Sequence, residues 1–449
     1  MSKYLLKADY ENERITSMKQ GDLITVNVPM LENNKLKYGL KAILTKMKKK
    51  KVYPSEKGFD IISLATIVYL ADTRISRKKH GQDSWTREIS IELPVSNTNI
   101  WNNQIDVLER MLKFLTGDIW HINFIKRKWL LETALPKQNK TNNYNCASLF
   151  SGGMDSLIST INLMQEGKNT LLISHAGEPL TKNAQINIIN KLDKAYPNYL
   201  HDIMDLWMVF PDNYIPYGEN DNNTRSRSFL FIAFGIFVLT GINNVSELLV
   251  PENGLIALNV PLDVTRVGSF STRTTHPFYL NKWNELLSGV GINLTVRNPY
   301  WNKTKGEMAS ECQNKNILVE TMKLSFSCSS PNKARWQKMA SQHCGYCVPC
   351  LIRRAAMHKA FGKDVTNYTI NSIKTMQINS NNSKGVQLRS FQYAINKVKS
   401  HEGIEKMYIH KSGPLSTDNL YLNELAYTYK RGLLEVDSFI EESLKQEGL

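Results

Sequence analysis

Apolar and polar residues alternate over Asp22-Leu-Ile-Thr-Val-Asn-Val-Pro29 and again over Arg87-Glu-Ile-Ser-Ile-Glu-Leu-Pro94. That is the period of a half-buried strand. Ile61 to Leu70 is a continuous, largely apolar run and Trp120 to Phe124 returns to strand character, so residues 1–140 read as a strand-rich domain of several antiparallel strands. Within it, the spacing of Ile105, Leu108, Met111, Leu112 and Leu115 predicts a helix over 101–116, stopped by Gly117. The polar run Lys137-Gln-Asn-Lys-Thr-Asn-Asn143 reads as a domain boundary.

From Tyr144 the order changes to strand, Gly-rich turn, helix, strand, helix. Strands are predicted at 145–150, 170–174, 206–210 and 247–250, and helices at 156–165, 184–195, 228–240, 280–290 and 305–314. This alternation makes 144–362 an α/β domain built on a doubly wound parallel sheet with helices on both faces. Residues 363–449 hold amphipathic helical stretches around the polar loop 379–385 and read as a helical C-terminal extension.

Composition narrows the class. The chain has 449 residues, 42% hydrophobic and 22% charged, which excludes disordered and collagen-like chains. Phe229 to Leu239 is apolar for eleven residues, short of the ~20 a membrane helix needs. The amino terminus carries acids and tyrosines where a signal peptide would be apolar, so the expected location is cytoplasmic, with no membrane partner. The net charge of +15 attracts anions, nucleic acid among them, without specifying one. Its densest cluster, Lys46 with Lys48, Lys49, Lys50 and Lys51, has no interleaved aromatics and reads as a solvated turn.

Two local patterns carry chemistry. In Phe150-Ser151-Gly152-Gly153-Met154-Asp155-Ser156-Leu157, a strand ends in glycines and opens a helix, so the backbone can approach a ligand and offer amides and hydroxyls to an anion. The pattern lacks the lysine of a Walker loop. A tight turn with Asp155 as helix cap is the plain alternative. The second pattern is Cys328 followed by Cys344-Gly-Tyr-Cys347-Val-Pro-Cys350, four thiolates that complete the tetrahedral shell of structural Zn2+. An iron–sulfur cluster is its rival. Cys146 and Cys312 read as buried small apolar residues.

The first pattern resembles the PP-loop of the ATP pyrophosphatase superfamily, S-G-G-x-D-S. The order of elements over 145–362 resembles one branch of it, the QueC family of 7-cyano-7-deazaguanine synthases. The family's Gly-Arg-Asn before an apolar helix is matched by Ser226-Arg227-Ser228, with only the arginine kept. Its Pro and then Lys-x-Glu/Asp are matched by Pro299 and Thr304-Lys305-Gly306-Glu307, and its closing cysteine pattern by Ser327-Cys328, 344–350 and Arg353. Residues 255–278 do not follow the family, and the flanking 140 and 85 residues are additions to it. The longer form is similar to QueC-like proteins of the Qat anti-phage defence system, where Trp85-Thr-Arg87 and Phe114-Leu-Thr-Gly-Asp118 are also familiar.

The resemblance implies a C–N bond-forming, ATP- and Mg2+-dependent enzyme. It would adenylate 7-carboxy-7-deazaguanine, release pyrophosphate and pass the acyl group to ammonia or to an amine of a partner protein of the same defence operon. Residues 150–157 would hold the phosphates, with Asp155 binding magnesium or orienting the loop, and Arg227 and Lys305 would stabilise charge on the α-phosphate and leaving pyrophosphate. Ser174 and His175, past the second strand, would line the adenosine pocket. A tRNA-modifying PP-loop enzyme and a non-catalytic nucleotide-binding scaffold are the competing classes.

Overall fold

The computed structural model describes residues 2–135, 142–176, 179–199, 201–221, 224–263, 273–379 and 381–448. Alternating burial along β1 (Lys3–Asp9) and β3 (Leu23–Pro29) follows the sequence pattern, with β2 (Thr16–Gln20) between them in sequence. A short hairpin, β4 (Leu31–Glu32) and β5 (Lys35–Leu36), leads into α1 (Leu40–Lys49), α2 (Glu56–Arg74) and α3 (Arg77–His80). Then come β6 (Glu88–Val95), α4 (Thr98–Asn102), α5 (Ile105–Thr116) and β7 (Ile119–Lys126). Gly117 closes α5 in the left-handed region at φ 76°, as the sequence predicts.

The strands form one sheet in the order β2-β3-β1-β6-β7. Two expectations are corrected here. Only the β2–β3 pair is antiparallel; β3, β1, β6 and β7 run parallel, because the connections from β3 to β6 and from β6 to β7 are helical crossovers. The apolar run at 61–70 is not a strand but the middle of α2, in which every residue from Gly58 to Thr73 is buried. A helix buried all round has no amphipathic period to read. It packs on β1 and β6 on one side and on a helix of the next sheet on the other.

That second sheet is all parallel. It holds β8 (Cys146–Leu149), then after α6 (Met154–Gln165) β9 (Thr170–His175), and after α7 (Pro179–Ala195) β10 (His201–Leu206). The chain continues through α8 (Arg227–Leu239), β11 (Glu247–Leu249), α9 (Gly254–Leu258), α10 (Pro277–Gly289) and β12 (Thr295–Arg297). The order β10-β9-β8-β11-β12 places β8 at the point where the winding reverses. The third strand lies at 201–206 and not at the predicted 206–210. Of the lysine cluster, Lys46, Lys48 and Lys49 end α1 and only Lys50 and Lys51 form the turn after it, and Lys46 and Lys50 are ion-paired with Asp205 and Asp202 of β10.

Helix α8 covers one face of the second sheet and α6 with α7 the other. A single hydrophobic core joins the first sheet, α2, α8 and α10, running from Tyr4 to Val296. The predicted boundary at 137–143 falls largely on residues outside those described. The predicted helix at 305–314 is shorter, α11 (Lys305–Ser310), and after Glu311 to Asn314 a further helix follows, α12 (Lys315–Met322). The last part is helical, with α13 (Val348–Phe361), α14 (Ile373–Ile378), α15 (Val386–Ser400), α16 (Ile404–Tyr408) and α17 (Asn419–Gln446) around a second core. No helix among the described residues is long and apolar enough to cross a membrane.

Candidate functional site

In an open parallel sheet the ligand crevice lies beyond the carboxyl ends of the two strands flanking the reversal. Here those strands are β8 and β11, followed by Phe150-Ser151-Gly152-Gly153 and by Val250-Pro251-Glu252-Asn253. Gly152 takes φ +80°, a left-handed conformation that side chains rarely adopt, and its carbonyl accepts the Phe326 amide at 2.8 Å. Gly153 is the N-cap of α6 and no side chain caps that helix. The first intrahelical bond is Leu157 N–H to Gly153 O, so the amides of the first turn stand at a positive helix end without an intrahelical acceptor. Asp155 is therefore not the cap of α6.

The hydroxyls of Ser151 and Ser156 lie 3.2 Å apart at this turn, Ser151 Oγ accepting the Gly153 amide and Ser156 Oγ donating to Gly153 O. Phe150, Met154 and Leu157 are core residues, Met154 also bordering the cavity over this turn. Gln185 of α7 braces the loop, its Nε2 donating to Ser151 O at 3.2 Å.

Asp155 is buried and faces across the crevice. Its Oδ2 accepts Asn253 Nδ2 at 2.8 Å and the Asn253 amide at 3.2 Å, while its Oδ1 lies 2.8 Å from Lys305 Nζ. The carboxylate thus ties the loop after β8 to the loop after β11 and to the start of α11. Lys305 is buried with it. Its position is fixed by a capping box, Thr304 with Glu307, and by Glu435 of α17, which accepts Thr304 Oγ1 at 2.5 Å and the Gly306 amide at 2.8 Å. A Cβ on Gly306 would stand 2.5 Å from Glu435 Oε2, so glycine is what allows this approach. The C-terminal extension is in this way a brace for the site's buried cation.

Arg227 opens α8 on the other side of the crevice, exposed, its guanidinium without a hydrogen bond or ion pair among the described residues. Glu252 lines the same cavity as the two cations. Burial, and after it the Asp155 carboxylate, push its pKa up to about 7, and Thr275 Oγ1 donates to Glu252 Oε2 at 3.0 Å. A carboxyl whose pKa rises from 4.5 in the unfolded chain to about 7 in the fold binds its proton more tightly when folded. Its contribution to stability is complete below the unfolded pKa and is lost as pH rises through about 7. Glu252→Gln is expected to flatten the fall in unfolding free energy between about pH 5 and 7.5. Urea titrations across that range check this, and an unchanged pH slope would remove Glu252 as its source.

Ser174 and His175 do not reach the crevice through polar atoms. Ser174 Oγ donates to Phe150 O at 2.6 Å and is fully buried. His175 lies under α8 between Tyr69 and Phe231, and both ring nitrogens are buried without hydrogen-bond partners. Burial first, and then Arg227, push its pKa down to about 3, so it is neutral. Cys146 and Cys312 have thiols raised by burial, which argues against either as a nucleophile.

The sulfurs of Cys328, Cys344, Cys347 and Cys350 lie within 4.8 Å of one another. The pairs Cys328–Cys347 and Cys344–Cys350 are 3.9 and 4.0 Å apart, close to the ~3.8 Å edge of a tetrahedron with 2.3 Å metal–sulfur bonds. The amides of Ser330 and Cys344 donate to Cys328 Sγ, and that of Cys347 to Cys344 Sγ, each at 3.3 Å. Such bonds orient and stabilise thiolates in metal knuckles. The donor set therefore fits a metal ion. Arg353, fully buried, anchors the segment from α13 by donating to Met322 O at 2.6 Å and Ser325 Oγ at 2.9 Å.

Three cavities meet at Glu252. One of about 360 Å3 lies over the glycine turn and reaches Lys305, Arg227 and Cys328. One of about 310 Å3 lies toward the first sheet, and one of about 520 Å3 opens under α9 and α15. No protein-family model matches the chain, and no curated protein matches it. Glu252, Asn253, Gln185 and Glu435 are additions to the residues the sequence pattern marks. Of these, Glu252 and Asn253 follow a predicted strand and stood at a carboxyl edge, which is a signal for a ligand site.

Proposed function

We propose that this chain is a QueC-like PP-loop enzyme that adenylates a planar carboxylic acid of the 7-carboxy-7-deazaguanine type, releases pyrophosphate and transfers the acyl group to an amine. The observation that carries this reading is the uncapped N-terminus of α6, with its left-handed glycine, facing a buried lysine and an exposed arginine across the crevice. Amides 154–156 and the Ser151 and Ser156 hydroxyls would receive the β- and γ-phosphates of ATP. Arg227 and Lys305 would offset charge on the α-phosphate as a carboxylate oxygen attacks phosphorus and the bond to pyrophosphate breaks. Asp155 orients Lys305 and the Asn253 loop, and Glu252 is the other oxygen donor available to the Mg2+ that accompanies ATP, which would neutralise phosphate charge. The amine then attacks the acyl carbon, the bond to AMP breaks, and a proton leaves the new amide.

Zinc in the four-cysteine site would be structural, since four thiolates leave no open position. The 520 Å3 cavity gives an amine a route to the far side of Glu252 and Lys305, and a partner protein of a defence operon is the acceptor this enlarged architecture suits best. A thiolating tRNA enzyme is disfavoured by the raised thiols of Cys146 and Cys312.

The test is incubation with ATP, Mg2+ and 7-carboxy-7-deazaguanine, with AMP and pyrophosphate quantified alongside intact masses of candidate partners. AMP equal to product is expected, and Arg227→Gln is expected to lower the rate about a hundredfold. Absence of AMP with ammonia and with every partner would overturn the reading in favour of a nucleotide-binding scaffold.

A further inference from the structure

The 310 Å3 cavity has an unusual charge balance. Among the described residues, Arg225, Arg227 and Arg273 line it with one carboxylate, Glu252. Leu149, Val250 and Phe231 supply apolar walls. Arg225 and Arg273 come from loops that precede α8 and α10, yet both are aimed by the first 126 residues. The Arg225 guanidinium lies 4.3 Å from the Trp85 ring centroid and its Nη1 donates to Thr116 O at 2.6 Å. The Arg273 guanidinium lies 4.5 Å from the Phe114 ring centroid and its Nη1 donates to Phe114 O at 2.7 Å.

These supports rest on a buried ionic network. Arg87 donates to Asp118 and Asp72, Arg77 donates to the same two carboxylates, and Asp72 Oδ2 accepts the Ser226 amide at 2.7 Å, fixing the turn between Arg225 and Arg227. The segments 85–87 and 114–118, singled out in the sequence, thus converge behind the cavity. Burial costs the two guanidiniums some of their charge preference. Arg225 is pushed down to about 10 by burial and then Arg77, and Arg273 to about 10 by burial and then Arg225. An anion between them would relieve that repulsion.

We propose that this cavity is the acid-donor subsite, binding a planar heteroaromatic carboxylate with the carboxyl group among Arg225, Arg227 and Arg273, and that the N-terminal segment serves to aim those arginines. The inference rests on the adenylation reading for the identity of the acid. At about 310 Å3 the cavity is at the small end of ligand pockets, room enough for one bicyclic ring, and Ser151 and Ser156 of the glycine turn stand at its edge. Guanidinium forks match a carboxylate in plane, and apolar walls suit a flat ring. Arg227 and Glu252 are shared with the cavity over the glycine turn, so the carboxyl group would lie beside the phosphates it must attack.

Calorimetric titration of the full chain with 7-carboxy-7-deazaguanine, with its neutral primary amide, and with a non-hydrolysable ATP analogue tests this. The acid is expected to bind wild type at least about tenfold more tightly than the amide. Arg273→Gln and Arg225→Gln are each expected to weaken the acid at least about tenfold while changing affinity for the ATP analogue less than about twofold, which also reports that the variants fold. Equal binding of acid and amide to wild type, no binding of the acid, or an Arg273→Gln protein that keeps wild-type affinity would each overturn the proposal. AMP formation with an unchanged KM for the acid in both variants would remove the subsite and leave adenylation standing. Arginine-dependent preference for the acid without AMP formation would do the reverse.

Discussion

Asp155→Asn is expected to abolish measurable AMP release, with turnover falling by about a hundred- to a thousandfold, and to destabilise the fold at the same time. Both effects come from one geometry. Asp155 is the only carboxylate ion-paired with Lys305 among the described residues, at 2.8 Å, and both side chains are buried. An amide at 155 leaves a buried ammonium without its counter-charge, a loss of about 3–5 kcal/mol in comparable pairs. It also loosens Asn253, whose amide and side chain both donate to Asp155 Oδ2, and with it the loop that carries Glu252. The two effects separate in a second variant. Asp155→Asn combined with Lys305→Met removes both charges and is expected to regain most of the stability without regaining AMP release, because an apolar side chain replaces a buried pair at little cost but cannot offset phosphate charge. Single-turnover AMP formation and urea unfolding measure the pair. Wild-type turnover in Asp155→Asn would remove Asp155 from the chemistry, and activity recovered in the double variant would show that Lys305 acts only as a structural partner.

Chemistry that is contiguous in the chain was readable before folding, and chemistry assembled across it was not. The glycine turn carries its own instructions: two glycines between a short strand and a helix leave an amide cradle wherever the sheet is placed. The four cysteines likewise fix their own geometry through two C-x-x-C steps. Arg225 and Arg273 have no such local signature, since what aims them is the carbonyls of Thr116 and Phe114, over a hundred residues earlier. Ser174 reads as a ligand contact from its place after a strand, but its hydroxyl is spent on Phe150 O. Among the elements, alternation located β3 and β6, whose one face is buried, while α2 lost its period to burial on every side. Parallel pairing in the first sheet was hidden for the same reason, because the crossover that requires it includes α2.

Metal removal is expected to have the larger effect on stability. Cys344, Cys347 and Cys350 are themselves part of the second hydrophobic core, in the same cluster as Leu351, Ile352 and Phe391, so the knuckle is a structural corner of the C-terminal third. Four sulfurs within 4.8 Å cannot all be thiolates without a cation, and as thiols they attract one another far less than they attract a metal. Structural zinc sites bind with about 10–16 kcal/mol in small domains, comparable to the whole stability of a typical protein, about 5–15 kcal/mol. Chelation, or Cys347→Ser, is therefore expected to split thermal unfolding into two transitions, the earlier one assigned by hydrogen exchange to residues 326–448. The loss would reach the crevice as well. Phe326 donates to Gly152 O and Cys328 lines the cavity over the glycine turn, so ATP-analogue affinity should fall in the metal-free protein even while the two sheets remain folded. Elemental analysis of the purified chain is expected to give one zinc and no iron. An unchanged melting curve and unchanged exchange after complete metal removal would mean that hydrophobic contacts alone hold this corner, and that the four cysteines are placed together for some purpose other than stability.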